Sequence, residues 1–162
     1  MAGNVKAVPE GLRTVTPTIT VKGGDKAIEF YKQAFGAEVR GAHHGPDGRV
    51  AHAEIRIGDS VVMLADEYLP FASSPQTLGG TASTLCIYSE NIDPLFERAV
   101  KAGATVTTPL ADQFWGDRYG VVTDPFGHRW ALAQHVEDVA PDEMERRSKE
   151  AFAKMAAAAK AQ

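Results

Sequence analysis

Read as apolar and polar positions, the chain divides into short β-like runs separated by amphipathic helical stretches. The Thr/Val/Ile-rich run from Thr14 to Val21 suits a pleated, half-buried strand. Gly23-Gly24 interrupts it, and Asp25 is placed to cap a helix reaching about Phe35, with Ala27, Ile28, Tyr31 and Phe35 on one face. Gly36 ends that helix, because glycine accepts the left-handed conformation that a helix C-terminus often needs. Glu38 to Ala42 reads as a strand. After the turn at His44-Gly45-Pro46-Asp47-Gly48, the runs Val50 to Ile57 and Ser60 to Asp66 meet at Gly58-Asp59 as a hairpin.

Residues 67–81 are rich in Pro, Ser and Gly and read as a connector, after which the pattern restarts. Thr84 to Tyr88 reads as a strand. Asp93, with Pro94 at the first helical position, opens a helix carrying Phe96, Ala99 and Val100 that Gly103 closes. Val106 starts a strand, a long loop runs through Trp115, and Arg118 to Thr123 and His128 to Gln134 flank the turn Asp124-Pro125-Phe126-Gly127. Residues 1–13 show no period and read as an arm. Beyond Val136 the chain turns rich in Ala, Lys and Glu, and Met144, Ala151, Phe152, Met155 and Ala159 lie close to one helical stripe. That tail helix docks either on its own domain or on a partner subunit.

The two halves repeat. Gly36-Ala37-Glu38-Val39 and Gly103-Ala104-Thr105-Val106 stand 67 positions apart, as do Val21 and Tyr88, while Met63 and Ala131 align at 68. Each βαβββ unit alone is too small to bury a sheet face well. The expectation is therefore an α+β fold in which two tandem βαβββ modules, 14–66 and 82–137, form one domain with a cupped mixed sheet, followed by a helical tail over 138–162.

Composition narrows the partners. In 162 residues, 17 Lys and Arg face 21 Asp and Glu, a net charge of −4, so neither nucleic acid nor an anionic membrane is the expected partner. With 44% hydrophobic residues the chain has the makings of an ordinary core. A single cysteine, Cys86, forms no internal bridge, and no leader or membrane-length apolar stretch stands out, so a cytoplasmic location is expected. Cys86, mid-strand and without a nearby base, reads as a small buried apolar residue rather than a nucleophile. His43 and His44 read as surface histidines, and His128 and His135, seven apart, as lying on opposite faces.

The segments Thr16-Pro17-Thr18-Ile19-Thr20-Val21, Ala27 to Gly36, the hairpin His52 to Leu64, and Trp115-Gly116-Asp117-Arg118-Tyr119-Gly120 before Asp124-Pro125-Phe126-Gly127-His128-Arg129-Trp130 resemble the vicinal oxygen chelate superfamily of glyoxalase I, bleomycin-resistance proteins, fosfomycin-resistance enzymes and extradiol dioxygenases. Within it the chain is most similar to the PhnB-like proteins. The resemblance implies a cup, a homodimer and, in enzymatic members, a divalent metal held by His or Glu from the first and last strands of each unit. Aligned on those strands, Thr16, Met63, Ser83 and Ala131 occupy the ligand positions, and none offers imidazole or carboxylate. No metal or other cofactor is expected unless the ligand set has been rearranged.

Polar residues facing the cup are the remaining candidates. Pairing Ile57 with Ser60 sets Arg56 opposite Val61 and Glu54 opposite Met63, so His52, Glu54 and Arg56 share the face of the old metal position. They read either as a hydrogen-bonding or acid/base set or as a solvated face with an Arg56–Glu54 pair. Phe114, Trp115, Asp117, Arg118 and Tyr119 read either as a stacking platform with a polar clamp for a planar or anionic molecule or as a plug at the cup's end. Two functions stay open. One is metal-independent binding of a small, planar or partly polar organic molecule; the other is a lyase, isomerase or dioxygenase with a rearranged metal site, or metal-free acid/base chemistry at His52 and Glu54.

Overall fold

The computed structural model describes residues 5–160, with side chains to 158; residues 1–4 of the arm and the Ala159 side chain lie outside the described residues. The elements run β1 (Thr18–Val21), α1 (Gly24–Phe35), β2 (Glu38–His44), β3 (Val50–Ile57), β4 (Ser60–Asp66), α2 (Pro75–Leu78), β5 (Thr84–Tyr88), α3 (Ile92–Lys101), β6 (Thr105–Asp112), β7 (Asp117–Thr123), β8 (Arg129–His135) and α4 (Pro141–Lys160). They form two four-stranded sheets of matching order, β1-β4-β3-β2 and β5-β8-β7-β6, with β1 parallel to β4 and β5 parallel to β8. The tandem βαβββ fold expected from the repeat is what the chain adopts.

Several boundaries move for local reasons. β1 begins at Thr18 because Thr16 belongs to a turn, its hydroxyl donating to the Arg13 carbonyl at 2.9 Å. Asp25 does not cap α1. The buried Asp66 carboxylate from the end of β4 does so, accepting from the Gly23 and Gly24 amides at 2.7 and 2.9 Å and from the Val50 amide at 2.8 Å. A side chain at Gly24 would meet Val50 at 2.6 Å, so the helix start and β3 can approach only with glycine there. α3 starts at Ile92, ahead of Asp93, and its amide donates to Gln134 Oε1 at 3.2 Å. The last residues of β4 and β8 region thus serve the helix start of their own module. α2 sits in the connector, where the Ser74 amide and then its hydroxyl donate to Glu67 and help hold that buried carboxyl at a pKa of about 2.

The core lies between the helices and the helix-side faces of both sheets. Along β3, Ala53, Ile55 and Ile57 point into it and His52, Glu54 and Arg56 away from it. Tyr31 and Phe35 of α1 pack on Trp130 of β8, with ring centroids 5.4 and 4.8 Å apart, which joins the modules through a continuous cluster. Each such fully buried ring contributes roughly 1.5–3 kcal/mol or more through burial. Asp124 sits inside this cluster and accepts from the Tyr31 hydroxyl (2.7 Å), the Trp130 indole (2.9 Å) and the amides of Phe126 and His128 (both 2.9 Å). Burial and the Asp124 charge push the Tyr31 pKa well above its usual value.

α4 is tied to the domain near its start: Arg147 pairs with Glu137 at 2.8 Å, and Phe114 meets Phe152 at 6.1 Å. Phe152 and Met155 nevertheless stay 62% and 60% exposed. No helix among the described residues is long and apolar enough to cross a membrane.

Candidate functional site

Each sheet turns its second face away from α1 and α3. On the first sheet the register sets Ile57 opposite Ser60, Arg56 opposite Val61 and Glu54 opposite Met63, and so brings His52, Glu54, Arg56 and Met63 to one side. Their partners differ from the expected pair. Arg56 Nη2 meets Glu38 Oε2 at 2.5 Å across β2–β3, whereas Glu54 is met by Arg40 at 3.3 Å and by His52 at 3.8 Å. Arg40 reaches Glu54 because a register shift between Val39 and Gly41 leaves it an extra residue in β2, and such a bulge re-aims a side chain. Sequence alternation alone does not reveal a bulge. His43 stands opposite His52 in the same ladder, and His44 lies beyond a second shift, bonded to Asp25 at 2.9 Å.

The second sheet builds a hub around Asp117 at the start of β7. Its carboxylate accepts from the Tyr88 hydroxyl (2.9 Å), the Trp115 indole (3.1 Å) and His135 Nδ1 (2.8 Å), and His135 Nε2 meets Asp138 at 3.0 Å. Burial works to raise the Asp117 pKa, but these donors together hold it below the usual carboxylate range. Asp138 and then Asp117 raise that of His135, and the bond to Asp117 raises that of Tyr88. Trp115 stands edge-on to Tyr119 at 5.5 Å, with Phe114 edge-on behind it at 5.1 Å. Trp115, Asp117 and Tyr119 are therefore together, as expected, with Phe114 turned toward α4.

Arg118 is not with them. Neighbouring strand residues point to opposite faces, so Arg118 lies on the helix side, where Nε and Nη2 clamp Asp93 at 2.9 and 2.7 Å and Nη1 holds Asp112 at 3.0 Å. The clamp for an anionic group beside the aromatic platform is thus absent; its place in the cluster is taken by His135. Tyr88 and His135 escaped the sequence reading because they come from other strands, 29 and 18 positions from Asp117. The signal was available in the β7–β8 hairpin, whose Asp124–Gly127 turn sets Asp117 opposite His135.

Cys86 also departs from expectation: it is exposed, on the Tyr88 side of an edge strand, and partial desolvation and Asp117 push its thiol pKa up, away from the reactive thiolate. His128 precedes β8, and its Nε2–H donates to the Thr20 carbonyl at 2.8 Å, joining the β7–β8 turn to edge strand β1 of the other sheet. A cavity of about 910 Å³ opens between the β3–β4 turn and β5. Val61, Cys86 and Tyr88 line it from the cup side, and Phe35 and Trp130 from the core. None of His52, Glu54, Arg56, Met63, Phe114, Trp115, Asp117, Arg118 and Tyr119 borders it.

The register sets which side chains stand at the strand positions that would hold a divalent metal. Met63 faces Thr18 and Ala131 faces Cys86; Thr16 and Ser83 precede their strands and are not the matching positions. A hydroxyl, a thioether, a methyl group and a single thiol leave a hard or borderline divalent ion without the imidazole and carboxylate ligands it needs. Among the described residues, no group of three or more His, Cys, Asp or Glu side chains is placed to hold one.

A family model described as "Glyoxalase/Bleomycin resistance protein/Dioxygenase superfamily" matches residues 13–132. The uncharacterized protein Rv0887c of Mycobacterium tuberculosis is 45% identical over 135 residues, which cover 81% of this chain and 79% of that protein. Mb0911c of Mycobacterium bovis is likewise 45% identical, covering 81% and 89%. Among solved structures, TioX from Micromonospora sp. ML1 superposes with a TM-score of 0.63 at 26% identity, over 76% of this chain and 99% of that one. The PhnB protein from Bacillus cereus shares the fold, with a TM-score of 0.60 at 21% identity over 75% and 99%.

Proposed function

From the premise that this chain belongs to the glyoxalase/bleomycin resistance protein/dioxygenase superfamily, we propose that it binds a small, planar or partly polar organic molecule in its cup without the metal of the family's enzymes. The observation that carries this reading is the set of side chains at the metal-facing register positions, Thr18, Met63, Cys86 and Ala131. Around them the cup keeps recognition chemistry: His52, Glu54 and Arg56 on one wall, and Trp115 and Tyr119 beside the Asp117 hub on the other. Aromatic faces supply stacking area, and fixed donors and acceptors supply orientation. A thermal-shift screen of planar organic compounds in the presence of EDTA tests it, because a ligand that binds only the native state raises Tm. Stabilisation that requires an added divalent ion would overturn it.

The enzymatic reading has one observation in its favour, the 3.8 Å approach of His52 to Glu54. Arg40 competes for the same carboxylate at 3.3 Å, closer than His52, so the His52–Glu54 pair does not stand alone. His52→Ala combined with Glu54→Ala separates the readings: a binder loses part of its affinity, whereas an acid/base enzyme loses turnover by roughly 100-fold or more. A homodimer with two-fold symmetry and a cytoplasmic location belong to the same proposal, the first checked by sedimentation equilibrium.

A further inference from the structure

The 910 Å³ cleft beside the cup carries charge that the platform and the His52 wall do not use. Arg13, before β1, and Arg98, on α3, both line it. Arg40, Arg49, Arg56, Arg118, Arg146 and Arg147 each meet a carboxylate within ion-pair distance. Arg13, Arg98 and Arg129 meet none among the described residues, and two of those three border this one cleft. Arg98 is also pre-set: its Nε donates to the Ala34 carbonyl at 2.9 Å, which fixes the guanidinium and leaves its terminal nitrogens for an acceptor. The root of Arg13 is held by Thr16, whose Oγ1 accepts from the Arg13 amide at 3.3 Å and donates to its carbonyl at 2.9 Å.

The rest of the lining sets the other half of the ligand. Phe35, Leu95, Trp130 and Val62, all buried, supply an apolar inner wall. Asp59 is the carboxylate on the rim, where it accepts from the Ser60 hydroxyl at 2.8 Å. Two guanidinium groups against one carboxylate suit a monoanion better than a dianionic phosphate, and an apolar wall suits a hydrophobic body. We infer that this cleft takes an amphipathic carboxylate, with its aromatic or acyl body against Phe35, Leu95 and Trp130 and its carboxylate between Arg98 and Arg13. The inference goes beyond the small-molecule reading above: it places a separate ligand site in a cleft that none of the cup's recognition residues borders.

Its test is calorimetric titration of the full chain, in buffer with EDTA, with 1-pyrenebutyrate and with the uncharged 1-pyrenebutyramide. Charge-assisted hydrogen bonds predict that the acid binds roughly 10- to 100-fold more tightly than the amide. Arg98→Gln should remove most of that preference and Arg98→Lys should keep part of it, since lysine retains the charge but not the planar fork. Because Arg98 also holds the Ala34 carbonyl, Arg13→Gln, outside the core, provides an independent variant that should weaken the acid and leave the amide unchanged. Equal binding of acid and amide, or a preference that survives both Arg98→Gln and Arg13→Gln, overturns the carboxylate while leaving small-molecule binding intact. Failure of both compounds to bind also overturns it, with the thermal-shift screen judging the broader reading separately.

Discussion

Asp124 and Asp117 are both nearly buried carboxylates of the second module, 4% and 6% exposed, and both accept one tyrosine O–H and one tryptophan N–H. Their remaining donors differ. Asp124 takes two backbone amides, and its Tyr31 and Trp130 partners are sealed in the core. Asp117 takes a histidine whose other nitrogen reaches a second carboxylate, and its Tyr88 partner is 63% exposed. The same local chemistry therefore fastens the modules together on one side of the sheet and presents adjustable polar and aromatic groups on the other. Access of water to the donors decides which, because a donor that can turn to solvent loses little when its acceptor goes.

The sharpest way to break this contrast is Asp124→Ala. It leaves two side-chain donors and two amides in the core without an acceptor and should destabilise the protein by roughly 3–5 kcal/mol, read from urea denaturation. A loss under about 1 kcal/mol would mean that water reaches that site and that the two carboxylates are alike. Asp117→Ala should cost only about 1–2 kcal/mol by the same measurement, since Tyr88 and His135 can turn to solvent. Its larger effect should fall on the affinity of any ligand stacked on Trp115 and Tyr119.

The register that created this contrast was partly readable. The repeat, the hairpin and the alternation of β3 follow from period-two patterning and glycine punctuation, and so the His52–Glu54–Arg56 face was legible. The same rule applied to Asp117-Arg118-Tyr119 separates Arg118 from its neighbours, because β7 already begins at Asp117. The Asp66 cap and the Arg40–Glu54 pair were out of reach, because each joins residues through a tertiary approach or a bulge that local patterning does not encode. Tyr88 required knowing that β5 lies beside β8, a parallel pairing set by the fold and not by a turn.

pH sharpens the comparison further. His135 has its pKa raised in the folded protein, chiefly by Asp138 and then Asp117, so its charged form stabilises the fold below the unfolded value of about 6.5 and that contribution disappears as pH rises through the folded pKa. The Tm difference between the natural chain and His135→Gln should therefore be larger at pH 6 than at pH 9. A difference that stays constant with pH would show that the imidazole serves as a neutral spacer. The smallest expected effect is at the exposed Arg56–Glu38 pair, where Arg56→Ala should change stability by no more than about 0.5 kcal/mol in the same denaturation assay. A greater loss would mean that this wall is closed off from water.

The central claim is that the cup binds its ligand without a divalent metal, and the most direct measurement is metal content. Protein purified without a histidine tag, incubated with zinc, nickel, manganese and iron(II) in turn and then dialysed, would be analysed by plasma mass spectrometry. The register positions Thr18, Met63, Cys86 and Ala131 predict retention far below one ion per chain for every metal. One tightly retained ion per chain would contradict the account and would point to His52 and Glu54 as members of a rebuilt site.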